Sequence, residues 1–125
     1  MKIIFNDKKP IFRQIVDYIK AEVISGSLLP GSKLPSVRDM AVDIDVNPNT
    51  IHRVYQLLES EGIAYTERGL GTFISRDDSL ISRLREEMAN KIVIEYYEEM
   101  QKIGINQSEM IDYLKNYMDK DHPNG

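Results

Sequence analysis

Asn47-Pro48-Asn49-Thr50-Ile51-His52-Arg53-Val54-Tyr55-Gln56-Leu57-Leu58 is the stretch whose reading decides the fold. Asn47 is a good N-cap, since its short side chain can accept from the free backbone N–H groups of a first helical turn. Pro48 then occupies the first helical position, where its missing N–H costs nothing and its fixed φ suits the helix. Apolar residues at 51, 54, 55 and 58 follow the i, i+3, i+4, i+7 spacing of a helix with one buried face. At about 100° per residue, Asn49, Arg53 and Gln56 point away from that face, with Thr50 and His52 on its flanks. The outward surface offers amides, a hydroxyl and a guanidinium, and no carboxylate. Such groups suit base edges and phosphates: Asn or Gln pairs bidentately with adenine, Arg with guanine.

Upstream, residues 3–5 are a short extended stretch, and Pro10 opens a helix with apolar positions 11, 12, 15, 16, 19, 23 and 24. Gly26 ends it in the left-handed conformation. Leu28-Leu29-Pro30-Gly31-Ser32 is a turn cluster, and Lys33-Leu34-Pro35 is at most a short strand. Ser36 caps a second helix, with Asp39 in a capping-box-like position and Val37, Met40, Ala41 and Ile44 as its apolar set. Asp45-Val46 is the tight turn into the next helix, and two short amphipathic helices so joined are a helix-turn-helix. Downstream, Gly62 closes the recognition helix near Glu61. Ile63–Thr66 and Thr72–Ile74 read as strands flanking Glu67-Arg68-Gly69-Leu70-Gly71, a hairpin in the position of a wing.

From Asp77 the character changes. Residues 80–103 read as one long helix, capped by Asp77, Asp78 or Ser79 and broken by Gly104. Asn106 with Glu109 caps a second helix carrying Met110, Ile111, Leu114, Tyr117 and Met118, and residues from Lys120 to Gly125 read as frayed. The apolar faces of these helices are too wide to be buried on each other, so a second copy of the chain is expected to cover them. Leu84, Met88, Ile92, Tyr96 and Leu114 are the expected dimer interface. The fold class is therefore mainly α with a small β wing: a winged helix-turn-helix DNA-binding domain over residues 1–76, then a helical dimerisation region over 77–125.

Composition is consistent with this division. The 125 residues carry a net charge of −4, an odd value for a DNA-binding protein. Residues 1–76 hold ten Lys and Arg against nine Asp and Glu, net +1; residues 77–125 hold six against eleven, net −5. The acidity thus belongs to the C-terminal region. There is no cysteine, hence no disulfide or thiolate chemistry. No apolar run suits a signal peptide or a membrane span, so a cytoplasmic location with no membrane partner is expected.

Leu29-Pro30-Gly31-Ser32-Lys33-Leu34-Pro35-Ser36-Val37-Arg38-Asp39-Met40-Ala41 closely resembles the linker and second helix of GntR-type transcriptional regulators. The resemblance continues through Val46–Tyr55 and ends in Gly69-Leu70-Gly71-Thr72-Phe73-Ile74, covering about residues 10–75. Two C-terminal helices after the wing look like the YtrA subfamily, because other branches carry larger effector or aminotransferase-like domains. The resemblance implies a dimeric repressor, commonly encoded with ABC-transporter genes whose promoter it covers; two recognition helices related by a two-fold axis are expected to read a near-palindromic operator in successive major grooves. It places DNA contacts at Ser36 and Arg38 of the second helix, at Asn47, Asn49, Thr50, His52 and Arg53 of the recognition helix, and at Arg68 and Gly69 of the wing. Pro48 departs from the family by replacing a residue that often contacts DNA, and His52 stands where arginine is common.

No nucleophile, base or metal constellation suggests an enzyme, and no cofactor is expected. Gly69-Leu70-Gly71 lacks the strand-to-helix context of a phosphate cradle. His52 and His122 do not form a metal site, and His52 reads as a polar contact and not as a pH switch. Two readings from other classes stay open: a winged helix that docks on protein, and a one-component sensor binding a small effector between its C-terminal helices.

Overall fold

A computed structural model describes residues 1–121 of the chain. Its elements, in order, are α1 (Ile11–Ser25), α2 (Val37–Asp43), α3 (Pro48–Ser60), β1 (Ala64–Glu67), β2 (Gly71–Ile74), α4 (Asp78–Lys102) and α5 (Gln107–Asp121). They form two compact units, Met1–Arg85 and a second from Glu86 onward, so the boundary falls inside α4.

Local chemistry sets the ends of these elements. Pro10 precedes α1 without a side-chain cap. The Gln14 amide instead donates to the carbonyls of Asn6 and Lys9 at 2.8 and 2.7 Å, fastening the N-terminal segment to the first turn. Gly26, at φ 87°, ends the helix in a conformation that a Cβ would penalise. Ser36 Oγ accepts from the Asp39 N–H at 3.1 Å, and Asn47 Oδ1 from the Asn49 N–H at 2.8 Å, so α2 and α3 each have a side-chain cap. Between them Asp45 takes φ 54°, the one positive value at a non-glycine residue among those described. Aspartate tolerates this region better than most residues, and the Val46 N–H closes the turn on the Ala41 carbonyl at 2.9 Å.

The core of the first unit is built where the apolar stripes of the three helices converge. Ile15, Val16, Ile19, Met40, Ile51, Val54 and Leu58 are fully buried, joined by Leu34, Ile63 and Ile74 from the linker and wing. The hairpin pairs Ala64 with Ile74 through to Glu67 with Gly71, antiparallel, around a three-residue tip of Arg68, Gly69 and Leu70. Tyr65 and Phe73, directly opposite in register, stack with centroids 5.7 Å apart. The Lys33-Leu34 segment adds a third edge: Leu34 N–H donates to Thr72 O, and Ile74 N–H to Ser32 O, both at 2.8 Å.

Helix α4 begins two residues before the expected start. Asp77 caps it, its carboxylate accepting from the Ser79 hydroxyl at 2.7 Å and from the Ser79 and Leu80 N–H groups. Those bonds, the Ser79 hydroxyl foremost, hold the Asp77 carboxyl below the usual carboxylate range. One expectation is corrected here. Leu84, assigned from sequence to a dimer interface, is 6 % exposed and belongs with Leu80 to the core of its own unit. An apolar stripe is satisfied by the nearest apolar surface, and for the first turns of α4 that is the winged helix itself.

In the second unit Gly104, at φ 80°, ends α4. Asn106 and Glu109 form a reciprocal box: Glu109 N–H donates to Asn106 Oδ1 at 2.9 Å, and Asn106 N–H to Glu109 Oε1 at 3.2 Å. Tyr96 donates its hydroxyl to the Met110 carbonyl at 2.7 Å, and the Tyr97 hydroxyl oxygen accepts from Gln101 and Gln107, so two tyrosines tie α4 to α5. Helix α5 continues to Asp121, so Lys120 is helical where fraying was expected. His122 to Gly125 lie outside the described residues.

Candidate DNA-binding surface

Helix α3 presents the face that its sequence predicts. Ile51, Val54, Tyr55 and Leu58 are buried, while Asn49, His52, Arg53 and Gln56 are exposed and Thr50 is half-buried. Asn47 is exposed too, but its Oδ1 is committed to the cap, which leaves its NH2 group to donate outward. Arg53 is not a free side chain. Its guanidinium carbon sits 4.1 Å from the centroid of the Phe12 ring on α1.

Ser36 and Arg38 are exposed at the start of α2. An open cleft of about 610 Å³ runs beside this turn, lined by Lys33, Ser36 and Asp39 and by Leu70, Gly71 and Thr72 of the wing. It brings the α2 cap and the tip end of the wing to one groove. Tyr55 lines it as well and donates its hydroxyl to the Pro35 carbonyl at 2.6 Å, pinning the linker before α2 onto α3. Burial pushes the Tyr55 phenol well above its usual range.

At the wing tip Arg68 and Gly69 are exposed, and a Cβ on Gly69 would meet nothing within 4 Å, so the backbone there is open to a close approach. Gly71 is the opposite case. It has φ 125°, and a Cβ there would lie 2.6 Å from Lys33 Cε. Lys33, an exposed cation lying against Gly71 at the tip end of the wing, was not singled out from sequence. Its signal is the basic residue opening the Lys33-Leu34-Pro35 strand, which bridges to Phe73 only once the chain is folded.

The residues expected at a dimer interface separate. Ile92 (61 % exposed) and Leu114 (47 %) are open, Met88 and Tyr96 are half-buried, and Leu84 is enclosed in the first unit. Among the described residues no group of His, Asp and Glu is placed to hold a metal ion, and no helix is long and apolar enough to cross a membrane.

Two capped helices meeting at a tight turn, exposed amide, imidazole and guanidinium groups along the first turns of the second, and a hairpin directly after it define a winged helix-turn-helix DNA-binding protein. Residues 12–74 match the bacterial regulatory proteins of the gntR family. The chain belongs to that family, whose members are transcriptional regulators and not enzymes, and within it to the YtrA subfamily. It is 37 % identical over 112 residues to the HTH-type transcriptional repressor YtrA of Bacillus subtilis, covering 85 % of this chain and 82 % of that one. A GntR family transcriptional regulator from Listeria monocytogenes superposes with a TM-score of 0.82 at 41 % identity, over 90 % of this chain and 98 % of that one. The DNA-binding domain of AraR, solved in complex with operator ORX1, superposes with a TM-score of 0.55 at 25 % identity, over 60 % of this chain and 96 % of that one.

Proposed function

We propose that this DNA-binding regulator acts as a cytoplasmic homodimeric repressor, reading a near-palindromic operator in successive major grooves and covering the promoter of transporter genes. The observation that carries the DNA reading is the exposed set Asn49, His52 and Arg53 on the first turns of α3, together with the exposed wing tip Arg68-Gly69, a donor-rich surface with no carboxylate among residues 47–58. Asn49 reads a base edge, Asn47 and Thr50 support it, and Ser36, Arg38, Arg68 and Gly69 set the register through the backbone. Repression is supported by the name of the YtrA relative, and the link to transporter genes by the subfamily resemblance.

Dimerisation is supported by the apolar side chains that α4 and α5 leave open: Ile92, Val93, Ile94, Ile103, Ile111 and Leu114 are each about half exposed or more. A single chain rarely leaves so much aliphatic surface uncovered. Two-fold symmetry would also set two recognition helices about one helical turn, roughly 34 Å, apart.

The test is fluorescence anisotropy with the promoter DNA upstream of the protein's own operon, against scrambled DNA, across a salt series. Tight binding that tracks the dimer and falls by orders of magnitude on scrambled DNA supports an operator-specific regulator. Equal, steeply salt-dependent binding to both sequences removes that promoter as the target. No binding at any salt would turn the reading to a protein-docking winged helix. An effector that raises the melting temperature and releases operator DNA would add the one-component sensor reading.

A further inference from the structure

Arg53 differs from its neighbours on the recognition helix because its position is set from outside that helix. Its guanidinium lies 4.1 Å over the Phe12 ring of α1, and the guanidinium of Arg13 lies 5.8 Å from the same centroid. Phe12 is half-buried against the core, so the ring is a fixed surface. Among the described residues neither arginine has a carboxylate partner. A ring face attracts a guanidinium and restricts its rotamers, while its in-plane N–H groups remain able to donate. Two cations gathered on one ring without an acid between them form a site for an oxygen anion.

We infer that Phe12 is a positioning residue for DNA binding: it holds Arg53, with Arg13 alongside, as a clamp for a backbone phosphate at the α1–α3 edge. Arg53 then fixes register and does not read a base. The inference rests on α3 being the helix that faces DNA. It assigns work to the opening helix, which the recognition-helix pattern leaves as mere support.

The experiment compares the parent, Phe12→Leu, Phe12→Tyr, Arg53→Ala and the Phe12→Leu/Arg53→Ala double variant. Each is titrated with a duplex of unrelated sequence and with operator variants at several salt concentrations. The Arg53 Nε–H resonance of the free protein is followed by NMR. Phe12→Leu is expected to weaken binding about fivefold for each protomer engaged on the DNA, the scale of a lost cation–π contact, while Phe12→Tyr binds as the parent does. The double variant should bind no worse than Arg53→Ala alone, since the two act as one unit. Arg53→Ala should weaken every duplex alike and lower the slope of log K against log salt by about 1.8, one phosphate's share of about 0.9 from each protomer of the dimer. The ring-current shift of Arg53 should vanish in Phe12→Leu and persist in Phe12→Tyr.

Additive losses, equal damage from Leu and Tyr, or an Arg53 resonance that Phe12→Leu leaves unmoved would each overturn the positioning role. A loss in Arg53→Ala confined to particular operator variants would make Arg53 a base reader. A parent that binds no duplex at any salt would overturn the orientation of α3 itself, and the clamp with it. Normal parental binding with additive variants removes the clamp alone.

Discussion

Tyr55→Phe removes one oxygen atom and tests how the recognition helix is held. The residue is 4 % exposed, and its hydroxyl donates to the Pro35 carbonyl at 2.6 Å. That carbonyl lies one residue before Ser36, so the bond couples α3 to the start of α2. A net hydrogen bond in a partly buried place contributes about 1 kcal/mol, somewhat more when the acceptor is left without a partner. For a unit of this size that corresponds to a fall in Tm of about 4–8 °C at neutral pH. The pH dependence sharpens the test. Burial raises the folded phenol above its ordinary value of 10.0, so the folded state keeps a proton that the unfolded chain loses. A group with a raised folded pKa contributes stability that is fully present below the unfolded pKa and is lost as pH climbs above it. The parent must therefore lose stability from Tyr55 above about pH 10, while the Phe variant has no such group to ionise. The Tm gap between them should narrow from pH 9 to 11 in a calorimetric or circular-dichroism series. A gap that is absent at neutral pH, or constant through the alkaline range, would refute the account of a buried hydroxyl pinned to Pro35.

Arg68→Ala should weaken operator and scrambled DNA alike and reduce the salt slope by about 1.8, as removal of one phosphate contact from each protomer of the dimer does. Asn49→Ala should act selectively, relaxing discrimination at one base pair by about 1–3 kcal/mol in competition titrations; unchanged preference across operator variants would remove direct readout from Asn49. Ile92→Lys should yield monomers in sedimentation velocity and lose operator affinity, and a persisting dimer would move the interface elsewhere. Ile92 is the sharper choice over Tyr96, whose hydroxyl bonds within its own unit. Asn47→Ala, which deletes the α3 cap, should lower stability by about 1 kcal/mol in urea unfolding with an unchanged m value.

Much of the fold is readable before folding because its signals act over three or four residues. Ser36, Asn47 and the Asn106/Glu109 pair cap helices through bonds to atoms two or three positions away. Gly26 and Gly104 end helices through their own φ, and the buried set of α3 follows from period alone. The same locality makes Asn49, His52 and Arg68 legible as exposed donors. Residues 12–74 also carry enough fixed spacings for the family itself to be recognisable.

Other features depend on which surface the folded chain brings alongside, and periodicity carries no such information. Leu84 and Ile92 stand on the same apolar stripe of α4, yet the winged-helix core encloses one and leaves the other open. Lys33 looks like an ordinary linker cation until its strand pairs with Phe73 and lays it across Gly71. Phe12 and Arg53 stand forty-one positions apart, and only the packing of α1 on α3 turns an apolar residue and an outward arginine into one unit. Sequence alone thus determined the elements, their ends and the chemical character of the DNA-facing helix, since those follow from each residue's own backbone and near neighbours. Tertiary structure alone decided which apolar side chains are already covered and which cations are held in place, because contact between distant residues exists only once the chain has closed upon itself.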